Sequence, residues 1–277
     1  MTTEFTRPFV SVVTVALNAA DTIEATMASV AMQLTEFEIE HICVDGGSTD
    51  PTRAIIDRWA ARSRRVRRLY EPDSGIFDAM NKGLRLARGE YVLYLNADDF
   101  FVASETLASA MRGLVPGGSD NPDLVLGNVS MGIPGRYGVW RRRKVPRLLN
   151  RLRGSGLYPP HQGMFARRHL LESVGGFEAQ LRYSADIQQY YELERRFSLR
   201  IRRRNVEIAF MRAGGRANAS LFEICRGTAE MFRRLRASRG ALAAAAMVTI
   251  KSLQSFAEIR LGRPPLELWF NHSAPAE

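Results

Sequence analysis

Residues 39–59 read IEHICVDGGSTDPTRAIIDRW, and this stretch decides the fold class. The run from Ile39 to Val44 is short, apolar and β-branched, which is typical of a buried strand. An acidic, glycine-containing turn follows, and Asp50-Pro51 then supplies the N-cap and first-turn proline of a helix. The core face of that helix would consist of Ile55, Ile56 and Trp59. A strand that passes through a polar turn into a helix is the repeating unit of an α/β fold.

The same unit recurs on both sides of this stretch. Four further apolar runs predict strands: Phe9 to Val15, Val66 to Tyr70, Tyr91 to Leu95 and Leu124 to Asn128. Two further helices are predicted, one from Asp21 to Leu34 with an Asp21…Glu24 capping box, and one from Ile76 to Arg88 with Gly89 as its left-handed C-terminal cap. The alternation predicts an α/β fold with a Rossmann-like, mainly parallel sheet and helices on both faces.

Composition excludes several classes of protein. With 45% hydrophobic and 25% charged residues, the 277-residue chain has an ordinary globular composition. No run approaches the roughly 18 to 20 apolar residues of a membrane span, and residues 1–8 carry no apolar signal-peptide core. The 2 cysteines lack CxxC spacing, so neither a disulfide framework nor a thiolate zinc site is predicted. We therefore expect a cytoplasmic location.

The net charge of +10 is concentrated in one segment. Ten of the 39 basic residues lie between Asp123 and Glu172, where there is no acidic residue, so the rest of the chain is balanced. Such a surface attracts anionic lipid, nucleic acid or a phosphorylated acceptor. No nucleic-acid-binding motif accompanies the charge, which disfavours nucleic acid as a partner.

The C-terminal part, residues 221–277, is predicted to form one or two amphipathic helices. Its apolar positions at helical spacing are Met231, Leu235, Leu242, Met247, Ile250, Leu253 and Phe256. Two interpretations remain open. Residues 231–263, together with the basic segment 136–168, could associate peripherally with the cytoplasmic face of the inner membrane, or the helices could pack on the core.

Polar turns follow the predicted parallel strands at their carboxyl ends. These turns are Asp45 to Asp50, Glu71 to Gly75 and Asn96 to Asp99, and the first strand ends near Asn18. Because ligands bind at this edge of parallel sheets, the turns would form one site. Clustered carboxylates without nearby His or Cys favour Mg²⁺ or Mn²⁺. Helix capping is an alternative explanation for Asp50 and Asp73. The adjacent pair Asp98-Asp99 is less easily explained by capping alone.

Known nucleotide loops do not explain this rim, because the chain contains neither GxGxxG nor GxxxxGK[ST]. Four ordered segments instead resemble the inverting family 2 glycosyltransferases with the GT-A fold: SVVTVALN (11–18), VDGGSTD (44–50), EPDSGIFDAMNKG (71–83) and LNADD (95–99). The resemblance runs from Phe9 to about Ser220. It implies a GT-A domain over residues 1–220, with a donor half of about 8–130 and an acceptor half of about 131–220.

The resemblance also implies site residues. Thr14 and Asp45 would hold the base and ribose of the donor. The full donor-binding set is Thr14, Asn18, Asp45, Asp73, Gly75, Asp78, Asn81, Lys82, Asp98 and Arg216, with Asn218 beside Arg216 in a Gly-Gly turn. Asp98 and Asp99 would bind Mn²⁺ or Mg²⁺, although Asn96 replaces the first acid of the family's Asp-x-Asp motif.

On the acceptor side, PHQG (160–163), GGF (175–177) and SAD (184–186) resemble the same family. Asp186 takes the place of the catalytic base, with His161 as its rival and the N-cap of a helix from Ile187 to Phe197 as the structural alternative. The implied reaction moves a hexosyl group from a UDP-, dTDP- or GDP-sugar to a hydroxyl of a saccharide or glycolipid in cell-envelope glycan biosynthesis.

Two other functions remain open from the sequence. A sugar-phosphate nucleotidyltransferase would share the layered fold and the metal, but its glycine- and lysine-bearing nucleotide loop is missing. A non-catalytic protein that binds nucleotide sugars or anionic lipid would need no catalytic base.

Overall fold

A computed structural model describes residues 7–132 and 158–212, the backbone of residues 139–143, and six helical positions near the C-terminus. These positions are Arg226, Ala229, Glu230, Phe232, Arg233 and Arg236. Arg216 and Asn218 lie outside the described residues, as do most of the basic segment 136–168 and most of the apolar positions in 231–263. No helix of the described part is long and apolar enough to cross a membrane.

Strands and helices alternate through the first half of the chain, as the hydrophobic pattern predicts. The strands are β1 (Val10–Ala16), β2 (Ile39–Asp45), β3 (Val66–Tyr70), β4 (Tyr91–Tyr94), β5 (Phe100–Phe101), β6 (Leu124–Gly132), β7 (Val139–Arg143), β8 (Met164–Arg167) and β9 (Ile201–Arg212). The helices are α1 (Ile23–Ala31), α2 (Thr52–Arg62), α3 (Ile76–Leu86), α4 (Thr106–Met111), α5 (Arg168–Ser173) and α6 (Ala185–Arg196), with a short 3-10 helix at His161–Gly163.

All of these strands join one sheet, in the order β3-β2-β1-β4-β8-β6-β9-β5, with β7 paired to β6. Strands β3, β2, β1 and β4 are parallel, which confirms the prediction for the first half. Strand β8 runs antiparallel to both β4 and β6, whereas β6 and β9 are parallel. The carboxyl ends of the four parallel strands therefore lie along one edge.

Helices cover both faces of the parallel half. On one face, Val13 of β1 packs in a core with Met80 of α3 and Tyr190 of α6. On the other face, Cys43 of β2 packs with residues of α1 and α2. Helix α3 lies close to β1 because Gly83 has no side chain; a Cβ there would be 2.2 Å from Val13 Cγ1. This close contact fixes the start of α3 beside the functional edge.

Two local predictions and one alternative interpretation need correction. Gly89 does not form a left-handed cap, because α3 ends at Ala87 in extended backbone; a Cβ at Gly89 would instead lie 2.6 Å from Ser11 N. The capping box at α1 is absent: Thr22 is the N-cap without a side-chain cap. Glu24 instead accepts hydrogen bonds from Arg58 and Trp59 of α2, so a tertiary contact has replaced the local one.

The third correction concerns α6, which begins at Ala185 with Ser184 at its N-cap. Asp186 therefore lies in the first turn and is not the cap. At α2 the predicted cap is shifted by one residue: Pro51 occupies the N-cap position, and Asp50 Oδ1 accepts the Thr52 N–H at 3.0 Å.

Two of the described positions of the C-terminal segment, Glu230 and Phe232, contact the rest of the protein. Phe232 is partly buried against the core that contains α3 and α6. These contacts favour the packing interpretation for this part of residues 221–277.

Candidate active site

The edge formed by the carboxyl ends of β1 to β4 carries two groups of polar side chains. The β2 cluster consists of Asp45, Arg53 and Asp73. The β4 cluster consists of Asp98, Asp99, His161, Gln162, Asp186 and Arg212. Each cluster joins residues that are distant in the sequence.

Asp45 ends β2 and is fully buried. Its Oδ1 accepts hydrogen bonds from Gly47 N at 3.1 Å, Ser48 N at 3.0 Å and Arg53 Nε at 2.7 Å. Burial opposes ionisation, but the hydrogen bonds from Ser48, Arg53 and Gly47 outweigh it and hold the pKa of Asp45 below its usual value. Its Oδ2 is buried and has no hydrogen-bond partner. An ionised carboxylate with an unused acceptor is suited to a ligand N–H or O–H.

Asp73 lies directly beside this loop. A Cβ at Gly46 would be 1.9 Å from Asp73 Oδ2, so only glycine leaves room for the carboxylate. Gly75, at φ +146°, donates its N–H to Asp73 Oδ1 at 3.0 Å. Burial raises the pKa of Asp73, and the nearby charge of Asp45 adds to this effect.

Two residues of the predicted donor-binding set hold the end of β1 in place. Thr14 is fully buried, and its hydroxyl lies 2.9 Å from His41 Nε2. Asn18, at φ +51°, accepts the Thr49 N–H at 2.9 Å, and its own N–H donates to Ser48 Oγ at 2.8 Å. Asn18 therefore positions the loop after β2, and the contacts of Thr14 belong to the core.

Three further residues of that set, all on α3, bind neighbouring loops. Asp78 Oδ2 accepts the Ser74 N–H at 3.0 Å, and Lys82 Nζ lies 2.5 Å from Pro72 O and 2.8 Å from Glu71 Oε1. These contacts hold the loop that carries Asp73.

Asn81 makes a reciprocal pair of 2.8 Å hydrogen bonds with the backbone of Phe177. It thereby joins α3 to the GGF turn (175–177).

At the end of β4, Asp98 and Asp99 have different surroundings. Asp98 is partly buried; burial raises its pKa, while its backbone N–H and the nearby positive charges of Arg212 and His161 oppose this. Asp99 is only 2% exposed, and it accepts hydrogen bonds from Gln162 Nε2 at 2.9 Å and Arg212 N at 3.2 Å. Burial and the charge of Asp98 raise the pKa of Asp99 to about 8. Asp99 thus joins the β4 end to the 3-10 helix and β9.

The structure brings together the two candidate bases. Asp186 Oδ2 lies 3.5 Å from His161 Nδ1, at the long limit for a hydrogen bond. His161 Nε2 is buried without a hydrogen-bond partner. Since His161 and Arg212 also lie near Asp98, the β4 cluster combines a carboxylate beside Arg212 with a second carboxylate that can accept a proton.

Residues 11–175 match the family model described as "Glycosyl transferase family 2". The chain belongs to this family. A Mycobacterium tuberculosis relative, the PGL/p-HBAD biosynthesis glycosyltransferase, is 34% identical over 65% of this chain and 67% of the relative. A Bacillus subtilis glycosyltransferase assigned to teichuronic acid biosynthesis is 43% identical over 34% of this chain and 37% of its own.

Solved structures agree on the fold of this glycosyltransferase. The Pyrobaculum calidifontis mannosyltransferase PcManGT, in complex with GDP-Man and Mn²⁺, matches with TM-score 0.61 and 21% identity, over 96% of this chain and 84% of that one. The Mycobacterium tuberculosis glucosyl-3-phosphoglycerate synthase, in complex with Mn²⁺, UDP and its product, matches with TM-score 0.56 and 21% identity, over 82% and 80%. The fold is GT-A, as predicted.

The β4 cluster of the glycosyltransferase fits a divalent cation only in part. Among the described residues, no group of three His, Cys, Asp or Glu side chains is arranged to hold a metal. However, Asp98 is a hard oxygen ligand, and Asn96 Oδ1 beside it is buried without a partner. Protein Mg²⁺ sites often use one or two carboxylates and complete the coordination with substrate phosphates. Asp98 and Asn96 fit a site in which protein oxygens and substrate phosphates together coordinate the cation.

Sequence reasoning gave no role to Arg53, Gln162 or Arg212. Arg53 lies in the first turn of α2, and the helix dipole disfavours a positive charge at that end. A basic residue at this position indicates that it pairs with an acidic group. Gln162 lies within the PHQG motif (160–163), but no role was predicted for it. Arg212 Nε is buried without a hydrogen-bond partner, and its charge lies near Asp98. The proximity of Arg212 arises from β9, which no local pattern reveals.

Proposed function

We propose that this glycosyltransferase moves a sugar from a nucleoside diphosphate donor to a hydroxyl group in a single, inverting displacement. The acceptor would be a saccharide or glycolipid of the cell envelope, because the relatives named above belong to PGL/p-HBAD and teichuronic acid biosynthesis. The observation that carries the proposal is the β4 cluster, in which Asp186 Oδ2 lies 3.5 Å from His161 Nδ1, and both His161 and Arg212 lie near Asp98.

The β2 cluster would bind the nucleoside. Asp45 Oδ2 is the buried acceptor without a donor, and Arg53 keeps this carboxylate ionised through Oδ1. A nucleobase N–H or a ribose hydroxyl would supply the missing hydrogen bond. Asp73, packed against Gly46, lies beside the same loop and would accept a second hydroxyl.

Asp186 is the base that we favour over His161. Its position in the first turn of α6 fixes the backbone, and the 21% exposure of its side chain leaves it open to an acceptor. The Asp186 carboxylate would take the proton of the acceptor hydroxyl as that oxygen attacks the anomeric carbon. His161 Nδ1 lies beside Asp186 Oδ2 and would orient it.

Negative charge builds on the departing diphosphate. Arg212, with its buried and unpartnered Nε, would stabilise this charge from the end of β9. Asp98 would hold a divalent cation, Mn²⁺ or Mg²⁺, which supplies further charge stabilisation to the phosphates when it is bound. The Asp99 carboxylate accepts hydrogen bonds from Gln162 Nε2 and from Arg212 N. It would thereby position both residues.

The test is calorimetric binding of UDP, dTDP, GDP and ADP to the wild type, Asp98→Asn and Asp186→Asn, with and without Mn²⁺. We expect one nucleotide to bind in a Mn²⁺-dependent manner, with the dependence lost in Asp98→Asn. Asp186→Asn should bind that nucleotide like the wild type and release nucleoside diphosphate from the matching nucleotide sugar only at a small residual rate. Failure of all four nucleotides to bind would refute the donor assignment.

The same assay distinguishes the base. His161→Gln keeps a polar group next to Asp186, so we expect it to retain a measurable fraction of turnover. If His161→Gln abolished turnover while Asp186→Asn retained it, the two roles would be exchanged.

A further inference from the structure

A carboxylate from the C-terminal segment binds the loop that precedes α6. Glu230 Oε1 accepts hydrogen bonds from Tyr183 N at 2.9 Å, Ser184 N at 3.0 Å and Ser184 Oγ at 2.8 Å. Its Oε2 accepts the Arg182 N–H at 2.9 Å. One side chain therefore satisfies three consecutive backbone N–H groups and a hydroxyl.

This contact replaces the usual cap of α6. Ser184 occupies the N-cap position, but its hydroxyl makes no cap hydrogen bond to the helix and donates to Glu230 instead. An N-cap serine normally accepts an N–H from the first turn. Here the negative charge that favours the helix N-terminus is supplied by Glu230, 46 residues along the chain from Ser184.

The helix start that Glu230 holds is also the start that carries Asp186. Ser184 and Asp186 are separated by one residue, and Asp186 lies in the first turn. Phe232, close behind Glu230, is partly buried against the core that includes Tyr190 of α6. The C-terminal segment is thus attached near the start of α6 by the hydrogen bonds of Glu230 and by the apolar contact of Phe232.

We propose that Glu230 is a positioning residue for Asp186, and that the C-terminal segment is therefore part of the catalytic unit. Glu230 acts through the backbone: it fixes the loop 182–184 and the first turn of α6. This inference rests on the proposed role of Asp186 as the base. A shift of about 1 Å in a catalytic group is enough to reduce turnover on the order of 100-fold.

The first test is amide hydrogen exchange on the full chain, comparing wild type, Glu230→Ala, Glu230→Gln and a control, Glu192→Ala. Glu192 is a suitable control because it lies on α6 in ion pairs with Arg195 and Arg196, away from the helix start. We expect exchange in a peptide covering 181–191 to accelerate by roughly tenfold or more in Glu230→Ala and by less in Glu230→Gln, which keeps one acceptor oxygen. Unchanged exchange in Glu230→Ala would overturn the proposal.

The second test separates positioning from general stability. Nucleoside diphosphate release is measured from UDP-glucose, UDP-GlcNAc, GDP-mannose and dTDP-rhamnose, together with nucleotide affinity. We expect Glu230→Ala to lower kcat by roughly 10- to 100-fold while the KM for the donor changes less than about twofold, with Glu230→Gln intermediate. If Glu230→Ala fails to fold, Glu230→Gln decides the outcome.

A double variant distinguishes failure of this proposal from failure of the function. Asp186→Asn with Glu230→Ala should be no slower than Asp186→Asn alone, because residues that act as a unit are not additive. If Asp186→Asn is inactive but Glu230→Ala turns over like the wild type, the positioning role is wrong and the base assignment stands. If Asp186→Asn keeps full activity, the base assignment itself is wrong.

Discussion

At the scale of single residues, the polar side chains at the strand ends fall into two groups. Some are hydrogen-bonded within the protein, and others have a buried atom without a partner. Thr14 and Asn18 have their hydrogen-bonding groups engaged within the protein. Asp45 retains a buried oxygen without a donor, and Arg212 retains an unpartnered Nε. Buried polar groups without partners are rare, so these two atoms mark where a ligand should complete the structure.

Gly46 provides a test of the β2 cluster. Gly46→Ala would place a Cβ 1.9 Å from Asp73 Oδ2 and push this carboxylate aside. We expect nucleotide affinity to fall by about tenfold, comparable to the loss of one hydrogen bond to a charged group. In calorimetry, the double variant Gly46→Ala with Asp73→Ala should bind no worse than Asp73→Ala alone. Wild-type affinity in Gly46→Ala would contradict this role for Asp73.

His41 predicts a pH dependence of stability. Burial lowers the pKa of His41 to about 3, whereas an unfolded histidine titrates near 6.5. Below pH 6.5 the unfolded state binds a proton that the folded state does not, so stability falls as pH decreases towards 3. Urea unfolding between pH 6.5 and 5 should show a slope of up to about 1.4 kcal/mol per pH unit from this group. His41→Gln should reduce that slope, and an equal slope would count against a buried neutral histidine.

At the scale of elements, α3 holds loops together more than it lines a pocket. Each of its three predicted donor-binding residues, Asp78, Asn81 and Lys82, has a protein partner. Gly83 places the helix close to β1, so the loop that carries Asp73 lies at the sheet edge. Helix α3 therefore contributes to the site through position.

Asn81 separates these two roles. Asn81→Ala removes both hydrogen bonds to Phe177, which should lower the free energy of unfolding by about 1–3 kcal/mol. Nucleotide affinity should stay within about twofold of the wild type if Asn81 acts only as a bridge. Urea unfolding and calorimetry measure the two quantities, with exposed Arg85→Ala on the same helix as a control expected within about 0.5 kcal/mol. A loss of nucleotide affinity with an unchanged free energy of unfolding would indicate that Asn81 binds the donor.

At the scale of the whole molecule, two halves of one sheet supply different parts of the site. The parallel half carries Asp45, Asp73 and Asp98 at its strand ends. The mixed half brings His161 and Arg212 to β4 through the 3-10 helix and β9, and α6 adds Asp186. The proposed reaction therefore depends on the packing of the mixed half of the sheet against the parallel half.

This arrangement predicts the stereochemistry of the reaction. A single base that activates the acceptor hydroxyl on the face opposite the departing diphosphate supports one displacement, so an α-linked nucleotide sugar should give a β-linked product. The anomeric ¹H coupling of the product, measured by NMR directly after transfer, gives the configuration. A retained configuration would require two displacements and would overturn the mechanism proposed for Asp186.

The sequence by itself determined the parallel half of the fold. Periodicity located every strand of β3-β2-β1-β4 to within a residue or two, because buried parallel strands are short apolar runs bounded by polar turns. The same turns predicted that Asp45, Asp73 and Asp98 follow strands at one edge, since the carboxyl ends of parallel strands must share an edge. The ordered motifs identified the family.

Tertiary structure alone decided which polar residues are free to act. Local patterns predicted a capping box at Asp21 and a left-handed cap at Gly89, but Glu24 accepts hydrogen bonds from α2 and Gly89 packs closely against Ser11. The alternative of an N-cap at Asp186 is also wrong, because Ser184 occupies that position. Glu230 shows the same limit, since its partners lie 46 to 48 residues away. Hydrogen bonds between elements depend on packing, which a local periodicity does not encode, so the roles of Asp99, Arg212 and Glu230 emerge only in the folded chain.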